Sequence, residues 1–316
     1  MLTAWSMQQG RLDKVTLDGA DSLPEEVVWL DLMAASEAER ERAVALSAVV
    51  IPSTEAVAEI EASSRFFSDD DGLHIRCFFL CSQARPARSV TVAFMLIKGM
   101  LITIREVDLI SFRSMQERHN HRDASDHCGI AMMLRLFEAQ VDQLADILEQ
   151  VYQELETLNQ NVFVKIDGIE LDQAMRQLAA SQDLNDRVRL GLFDQQRGMN
   201  FLARSGVASA EEQQTIAELV GDIDSLTSHS TFLLEKVGFL VDAIRGQINL
   251  QENRILKALS LMGAMLLPPT LIAAVYGMNF RNMPMLNWEY GYPAALLGMV
   301  LSALVPLLFF KWRKWI

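Results

Sequence analysis

Eight residues near the end of the chain share one helical face. Asn253, Leu256, Ser260, Gly263, Leu267, Thr270, Ala274 and Gly277 follow one another every three or four positions, with Leu259 beside them. The stripe is smaller and more polar than the residues around it. Small and hydroxyl side chains let helices pack closely in a membrane. The same side chains can line a water-filled path. Spacing alone leaves both readings open. A second chemistry sits in the rest of the chain, where acidic side chains dominate and could attract cations. His119, His121, His127 and Cys128 stand close together, but their spacing matches no standard zinc pattern.

The element that must carry the stripe is apolar. Ala258 to Tyr276 and Tyr292 to Phe310 are each free of charged residues, and each is about the 20 residues a bilayer-spanning helix needs. The spacing therefore predicts a hairpin of two membrane spans, about 258–276 and 292–310, joined by an outer loop at 277–291. That connection can turn the chain around but is too short to fold on its own. Arg254 and Lys257 precede the first span, and Lys311, Arg313 and Lys314 follow the second. Arg281 and Glu289 cancel in the loop. The positive-inside rule then puts both termini in the cytoplasm. Trp288, Tyr290 and Tyr292 suit one interface, Trp312 and Trp315 the other. No basic segment followed by an apolar core opens the chain, so no signal peptide is expected.

The chain has 316 residues and a formal net charge of −13. The stretch from Asn253 onward carries +5, which leaves −18 on everything before it. Such a body is repelled by anionic lipid and lacks the basic face that nucleic acid requires. Three cysteines, Cys77, Cys81 and Cys128, fit a reducing compartment.

Residues 1–128 read as an α/β domain with a mixed or antiparallel sheet. Strands are expected at 27–32, 73–81, 90–97 and 100–105, with Gly99 turning the last pair into a hairpin. Helices are expected at 36–49, where Ser36 and Glu39 form a capping box, and at 54–63. Asp69-Asp70-Asp71-Gly72 reads as a hairpin tip, although its carboxylates could bind a cation. Residues 129–252 read as a helical stalk region. Apolar positions recur at helical spacing over 130–164, again over 171–203, and from Ser209 onward with Glu212 completing a capping box. The last pattern meets no stop signal before the first span. It predicts one helix of about 68 residues, or about 100 Å, from Ser209 to Tyr276. Residues 253–316 form the membrane hairpin.

Tyr276-Gly277-Met278-Asn279 makes the chain resemble the CorA family of magnesium and cobalt transporters, of the proteobacterial type. The likeness extends to Leu267-Pro268-Pro269-Thr270-Leu271, Gly291-Tyr292-Pro293, Lys311-Trp312-Arg313-Lys314-Trp315, Gln251-Glu252-Asn253-Arg254-Ile255 and the run from Phe66 to Ile75. It covers nearly the whole chain. The resemblance implies a homopentameric funnel in the inner membrane, with the first span around a central pore. It makes Gly277, Met278 and Asn279 the selectivity filter at the outer mouth. It makes Asn253 and Thr270 polar pore positions, and Leu256 and Leu259 a hydrophobic gate. Mg²⁺ gives up its water reluctantly. A ring of Asn279 amide oxygens would therefore hold the hydrated ion through its water shell. Mg²⁺ is the implied cargo, with Co²⁺ as an alternative and Ni²⁺ a further candidate.

The family commonly has a glutamate after Met-Pro in the outer loop, and here Met285 follows Met283-Pro284. Ion capture is thus expected to lean on Asn279 more than on loop charge. The resemblance also implies that Mg²⁺ bound between cytoplasmic domains holds the pore shut. Glu218, Asp222 and Asp224, facing Glu59 or Glu61, are the candidate ligands. Two other readings compete: a zinc transporter of the same architecture, and a membrane-anchored scaffold or sensor without a pore. No nucleophile–base pair, phosphate loop or catalytic metal motif points to an enzyme.

Overall fold

A computed structural model describes residues 1–8, 11–17, 23–24, 26–52, 65–84, 87–118, 128–164, 168–278, 283 and 288–313. The helix expected at 54–63, the residues Glu59, Glu61 and Asn279, the three histidines beside Cys128, and Lys314 and Trp315 lie outside the described residues.

Seven strands form one sheet: β1 (Leu2–Gln8), β2 (Arg11–Val15), β3 (Val27–Met33), β4 (Phe66–Ser68), β5 (Leu73–Cys81), β6 (Arg88–Ile97) and β7 (Met100–Arg105). Their order is β2-β1-β3-β7-β6-β5-β4, with β3 and β7 parallel and every other pair antiparallel. The sheet is mixed, as the sequence pattern implied. Lys98 and Gly99 both take positive φ, 50° and 85°, which is the geometry a two-residue hairpin turn requires.

The interior strand β3 is apolar apart from Asp31 because both of its faces are covered. On one face Leu30, Leu32, Met95, Ile97, Ile102 and Ile104 pack with Ala43 of α1 (Glu37–Ser47). Ser36 and Glu39 close the expected capping box at the start of α1. The other face holds aromatic side chains. Phe79 and Phe94 pack with Phe137 of α3 (Gly129–Val164), and Phe79 also meets Phe112 of α2 (Ile110–Arg118), at ring separations of 5.0 to 6.1 Å. Among them lies a buried polar group. Trp29 Nε1 donates to Thr103 Oγ1 at 2.9 Å, Thr103 donates to Asp31 at 2.7 Å, and Arg105 pairs with Asp31 at 2.8 Å. Arg105 also lies 4.4 Å over the Phe112 ring. A buried pair of this kind is expensive to break, and it ties β3 to β7 through their side chains.

Two further helices, α4 (Gly168–Arg204) and α5 (Ala210–Tyr276), pack with α3. Ser181 of α4 donates to Glu154 of α3 at 2.9 Å. Asn185 of α4 donates to the Ser230 carbonyl of α5 at 3.1 Å. Asp194 joins α4 to the sheet: it accepts from the Phe78 N–H at 2.6 Å and pairs with Arg65. Burial pushes the Asp194 carboxyl above its ordinary range, outweighing the Phe78 N–H and the Arg65 charge. Gly198 is required nearby, since a Cβ there would come within 2.8 Å of Cys77 Sγ.

The last helix is α6 (Gly291–Trp312). The residues fall into two compact units. One comprises Met1–Lys165 with Asp172–Val241, the other Ile166–Leu171 with Asp242–Ile316. The 67-residue α5 contributes to both. The pattern from Ser209 had predicted its length to within a residue. Strands β1, β2 and β4 and helix α2 add to the elements expected from the sequence.

Candidate functional site

The first half of α5 is an ordinary amphipathic helix. Ser209 and Glu212 cap its start reciprocally, at 2.7 and 3.3 Å. Ile216, Leu219, Ile223, Leu233, Val237, Leu240 and Ile244 are buried at helical spacing. Lys236 braces it against α3, 2.7 Å from Glu156 and 4.3 Å over the Tyr152 ring. The hydrogen bond from Lys236 holds the Glu156 carboxyl below its ordinary range. No residue from Arg245 to Tyr276 is buried in the single chain.

That uncovered half carries the stripe. Asn253, Leu256, Ser260, Leu267, Thr270, Ala274 and Gly277 are exposed and Gly263 is half-buried. Leu256, Leu259 and Leu267 are 59%, 56% and 69% exposed, as are Leu266 and Leu271 beside the stripe at 65% and 67%, so the whole apolar half of the helix requires lipid or a further partner. Leu261, Met265, Pro268, Ile272 and Tyr276 are half-buried and also recur every three or four positions. At about 100° per residue this shielded face lies roughly opposite the stripe. Within one chain, cover comes from the far side and the stripe is left open. Both α5 and α6 are long and apolar enough to cross a membrane, and their apolar windows are almost wholly uncovered.

The polar side chains of the stripe have a common chemistry. Asn253 Nδ2 donates to the Asn249 carbonyl at 2.9 Å, one turn back. Thr270 Oγ1 donates within its own helix too, with the Leu266 and Leu267 carbonyls at 2.9 and 2.8 Å. In both, the donor is turned onto the backbone and an oxygen is left to accept. A threonine hydroxyl inside a helix bonds back to the carbonyls three and four residues earlier, as Thr270 does. Pro268-Pro269, inside the same helix, remove two backbone donors and leave the Ala264 and Met265 carbonyls without their usual partners. An open row of acceptors on an apolar helix suits a cation that keeps its water, because the water donates and the protein accepts.

At the outer end, Gly277 keeps its N–H on the Ala273 carbonyl at 2.9 Å, and Met278 bonds Val275 at 3.3 Å. Gly277 is not among the residues at positive φ, so it extends the last turn rather than leaving helical geometry. Its missing Cβ leaves room beside the Ala273 and Ala274 carbonyls, which stand 3.3 and 3.5 Å from where a Cβ would be. Asn279 follows directly, outside the described residues.

The acidic candidates on α5 do not share a face. Glu218 and Asp222 are four residues apart and exposed on one side. Asp224 is turned away from them and accepts from Gln196 of α4. Glu218 accepts from Gln214 at 3.0 Å. No group of three or more potential metal ligands occurs among the described residues. Asp69 is occupied as a turn residue, accepting from the Asp71 and Gly72 N–H groups at 3.0 Å. The Cys128 thiol donates to Glu212 at 3.0 Å, and burial pushes it above its ordinary range, away from the thiolate a metal would need. The Asp194–Arg65 anchor and the Lys236 brace were not foreseen from the sequence. Their partners are far apart along the chain, and no local spacing signals them.

Comparison with known proteins agrees with this arrangement. Residues 24–312 match the family described as CorA-like Mg2+ transporter protein. The chain is 39% identical to the magnesium transport protein CorA of Yersinia pseudotuberculosis, with 100% of both chains covered. The same identity and coverage hold for magnesium transport protein CorA of Escherichia coli K12. Among solved structures, the CorA magnesium transporter of Methanocaldococcus jannaschii matches with a TM-score of 0.83 at 17% identity, over 100% of this chain and 99% of the other. The cytoplasmic domain of ZntB from Vibrio parahaemolyticus shares the fold over 78% of this chain and 97% of its own, with a TM-score of 0.61 at 13% identity. The open acceptor face, the two apolar helices and full-length similarity lead to one assignment: this chain belongs to the CorA-like Mg2+ transporter family.

Proposed function

We propose that this chain is an inner-membrane magnesium transporter that admits hydrated Mg²⁺, and also Co²⁺ and Ni²⁺, through a homopentameric pore. The observation that carries the proposal is the uncovered stripe of α5, with the donors of Asn253 and Thr270 tied back and their oxygens free to accept. Copies of the chain close around that stripe, since one hairpin cannot enclose water. Asn279 amide oxygens ring the outer mouth beside the Gly277 and Met278 carbonyls and accept hydrogen bonds from the ion's water. Ser260, Gly263, Leu267, Thr270 and Ala274 line the passage, and Asn253 meets the ion at the inner end. Rings of Leu256 and Leu259 shut the path by dewetting. The membrane potential is worth about 2.3 kcal/mol per charge per 100 mV, doubled for a divalent ion, and favours entry.

Function divides the chain into three parts: a cytoplasmic α/β domain at 1–128, a stalk at 129–252 and a membrane hairpin at 253–316, with both termini inside. The −18 body supplies the sensor. Without Mg²⁺ between them, neighbouring acidic surfaces repel and the pore opens; Glu218 and Asp222, with Glu59 or Glu61, are the proposed contacts. The test is flux of Mg²⁺, Co²⁺, Ni²⁺ and Zn²⁺ into liposomes holding the purified protein or its Asn279→Ala variant. Mg²⁺ flux that depends on Asn279 supports the proposal. Preference for Zn²⁺ would reassign the cargo, and no flux of any ion would leave a membrane anchor.

A further inference from the structure

The inner ends of the two spans carry a cluster of cations that are not members of the stripe. Counting back from Tyr276 and forward from Gly291 at about 1.5 Å per residue, Lys257 and Phe310 each lie about 28 Å from the loop. Arg254, Lys257, Lys311 and Arg313 therefore fall in one layer, at the depth where a bilayer's inner headgroups begin. All four are exposed. On α5, Arg254 projects to the shielded side, about 100° from Asn253, while Lys257, four residues after Asn253, stands at the edge of the stripe. Glu252, the nearest acid in the sequence, is two residues from Arg254 and so points to nearly the opposite side. Arg313 sits 6.0 Å over the Phe309 ring and 5.8 Å over the Trp312 ring, and Trp312 is 77% exposed. An indole at the interface with a guanidinium held beside it presents an apolar shelf and a phosphate-binding fork together.

We infer that Arg254, Lys257, Lys311 and Arg313, with Trp312, form a binding surface for the headgroups of acidic phospholipids. Arg254 turns away from the stripe, and Lys311 and Arg313 lie on the other span, beside the exposed Trp312. Their sign complements an anionic leaflet, and they offset the repulsion between that leaflet and the −18 body. The inference rests on the two-span reading and not on which ion is carried.

The experiment uses the full-length protein in nanodiscs of mixed phosphatidylglycerol and phosphatidylcholine, with retained lipid counted by mass spectrometry. Wild type should retain phosphatidylglycerol in preference to phosphatidylcholine. Each neutralised cation (Arg254→Gln, Lys257→Gln, Lys311→Gln, Arg313→Gln) should reduce that preference up to about fivefold, the equivalent of roughly 1 kcal/mol per charge. The double variant Lys257→Arg with Lys311→Arg keeps the charge and should keep the preference. Equal retention by wild type overturns the inference. So does a preference that survives neutralisation of all four. If inorganic phosphate displaces the lipid as well as added phosphatidylglycerol does, the surface is a general anion site and the inference also fails. Mg²⁺ flux in phosphatidylcholine vesicles is read in parallel, so loss of lipid preference is separable from loss of transport.

Discussion

Thr270→Val is the sharpest test of how the stripe handles a hydrated ion. Valine nearly matches threonine in shape, and the residue is exposed, so little packing within the chain is lost. What disappears is one hydroxyl that donates to the Leu266 and Leu267 carbonyls and keeps its lone pairs outward. A hydrogen bond of this kind has a net value of about 1 kcal/mol, or roughly fivefold in a rate or affinity. An ion touching the ring through a single water should pass about fivefold more slowly in Thr270→Val, and more slowly again where two waters touch at once. Thr270→Ser retains the oxygen and should conduct close to wild type. The assay is Mg²⁺ entry into liposomes, followed with an internal indicator at an external Mg²⁺ level well below saturation and normalised to reconstituted protein. A thermal-unfolding midpoint for each variant separates conduction from folding, because the Leu266 and Leu267 carbonyls also lose a donor. Equal rates for valine and wild type, with matched stability, would refute the acceptor argument. Serine as impaired as valine would refute it too, since the methyl rather than the oxygen would then matter.

Other outcomes follow from the same geometry. Asn279→Ala should abolish uptake while Glu289→Gln reduces it mildly, measured in the same vesicles; comparable losses would return ion capture to loop charge. Asp194→Ala strands the Arg65 guanidinium in a site where both side chains are at most 6% exposed. Removing one member of such a pair costs about 3–5 kcal/mol, so the full-length protein should melt markedly earlier, whereas Arg65→Met with Asp194→Leu together should recover most of the loss. Replacing Glu218 and Asp222 with lysine should leave a pore that no longer responds to internal Mg²⁺, read as flux against Mg²⁺ loaded inside the vesicles.

How much of this was legible beforehand depended on the range of the interaction. Capping and periodicity act within a few residues, so Ser36 with Glu39, Ser209 with Glu212, and the 67-residue α5 could be read directly from spacing. Turn chemistry at Lys98-Gly99 was equally local. β1 and β2 were not anticipated as strands, because Leu2–Gln8 and Arg11–Val15 pair at a sheet edge and carry only a weak alternation. The parallel pairing of β3 with β7 joins residues more than 70 apart, and no local signal encodes it. The acidic candidates show the limit differently. Glu218, Asp222 and Asp224 look equivalent in a list of charges, yet helical rotation turns Asp224 toward Gln196 of α4.

The stripe was legible as a pattern but ambiguous as chemistry, and the ambiguity has a physical basis. Serine, glycine and threonine serve close helix packing and pore lining equally, because both uses need small side chains. Packing within one chain would have covered the stripe with the second span. Instead Leu261, Met265, Pro268, Ile272 and Tyr276 are half-buried on the far face, and every stripe residue except Gly263 is exposed. Of the stripe's polar side chains, Thr270 lies well inside the span, with its hydroxyl donated to the Leu266 and Leu267 carbonyls and its oxygen left to accept. An acceptor unmet in hydrocarbon costs roughly several kcal/mol, a cost that water reaching the stripe removes. The same helix that buries Ile216 to Leu240 therefore presents, one span later, an exposed face whose polar oxygens favour contact with water.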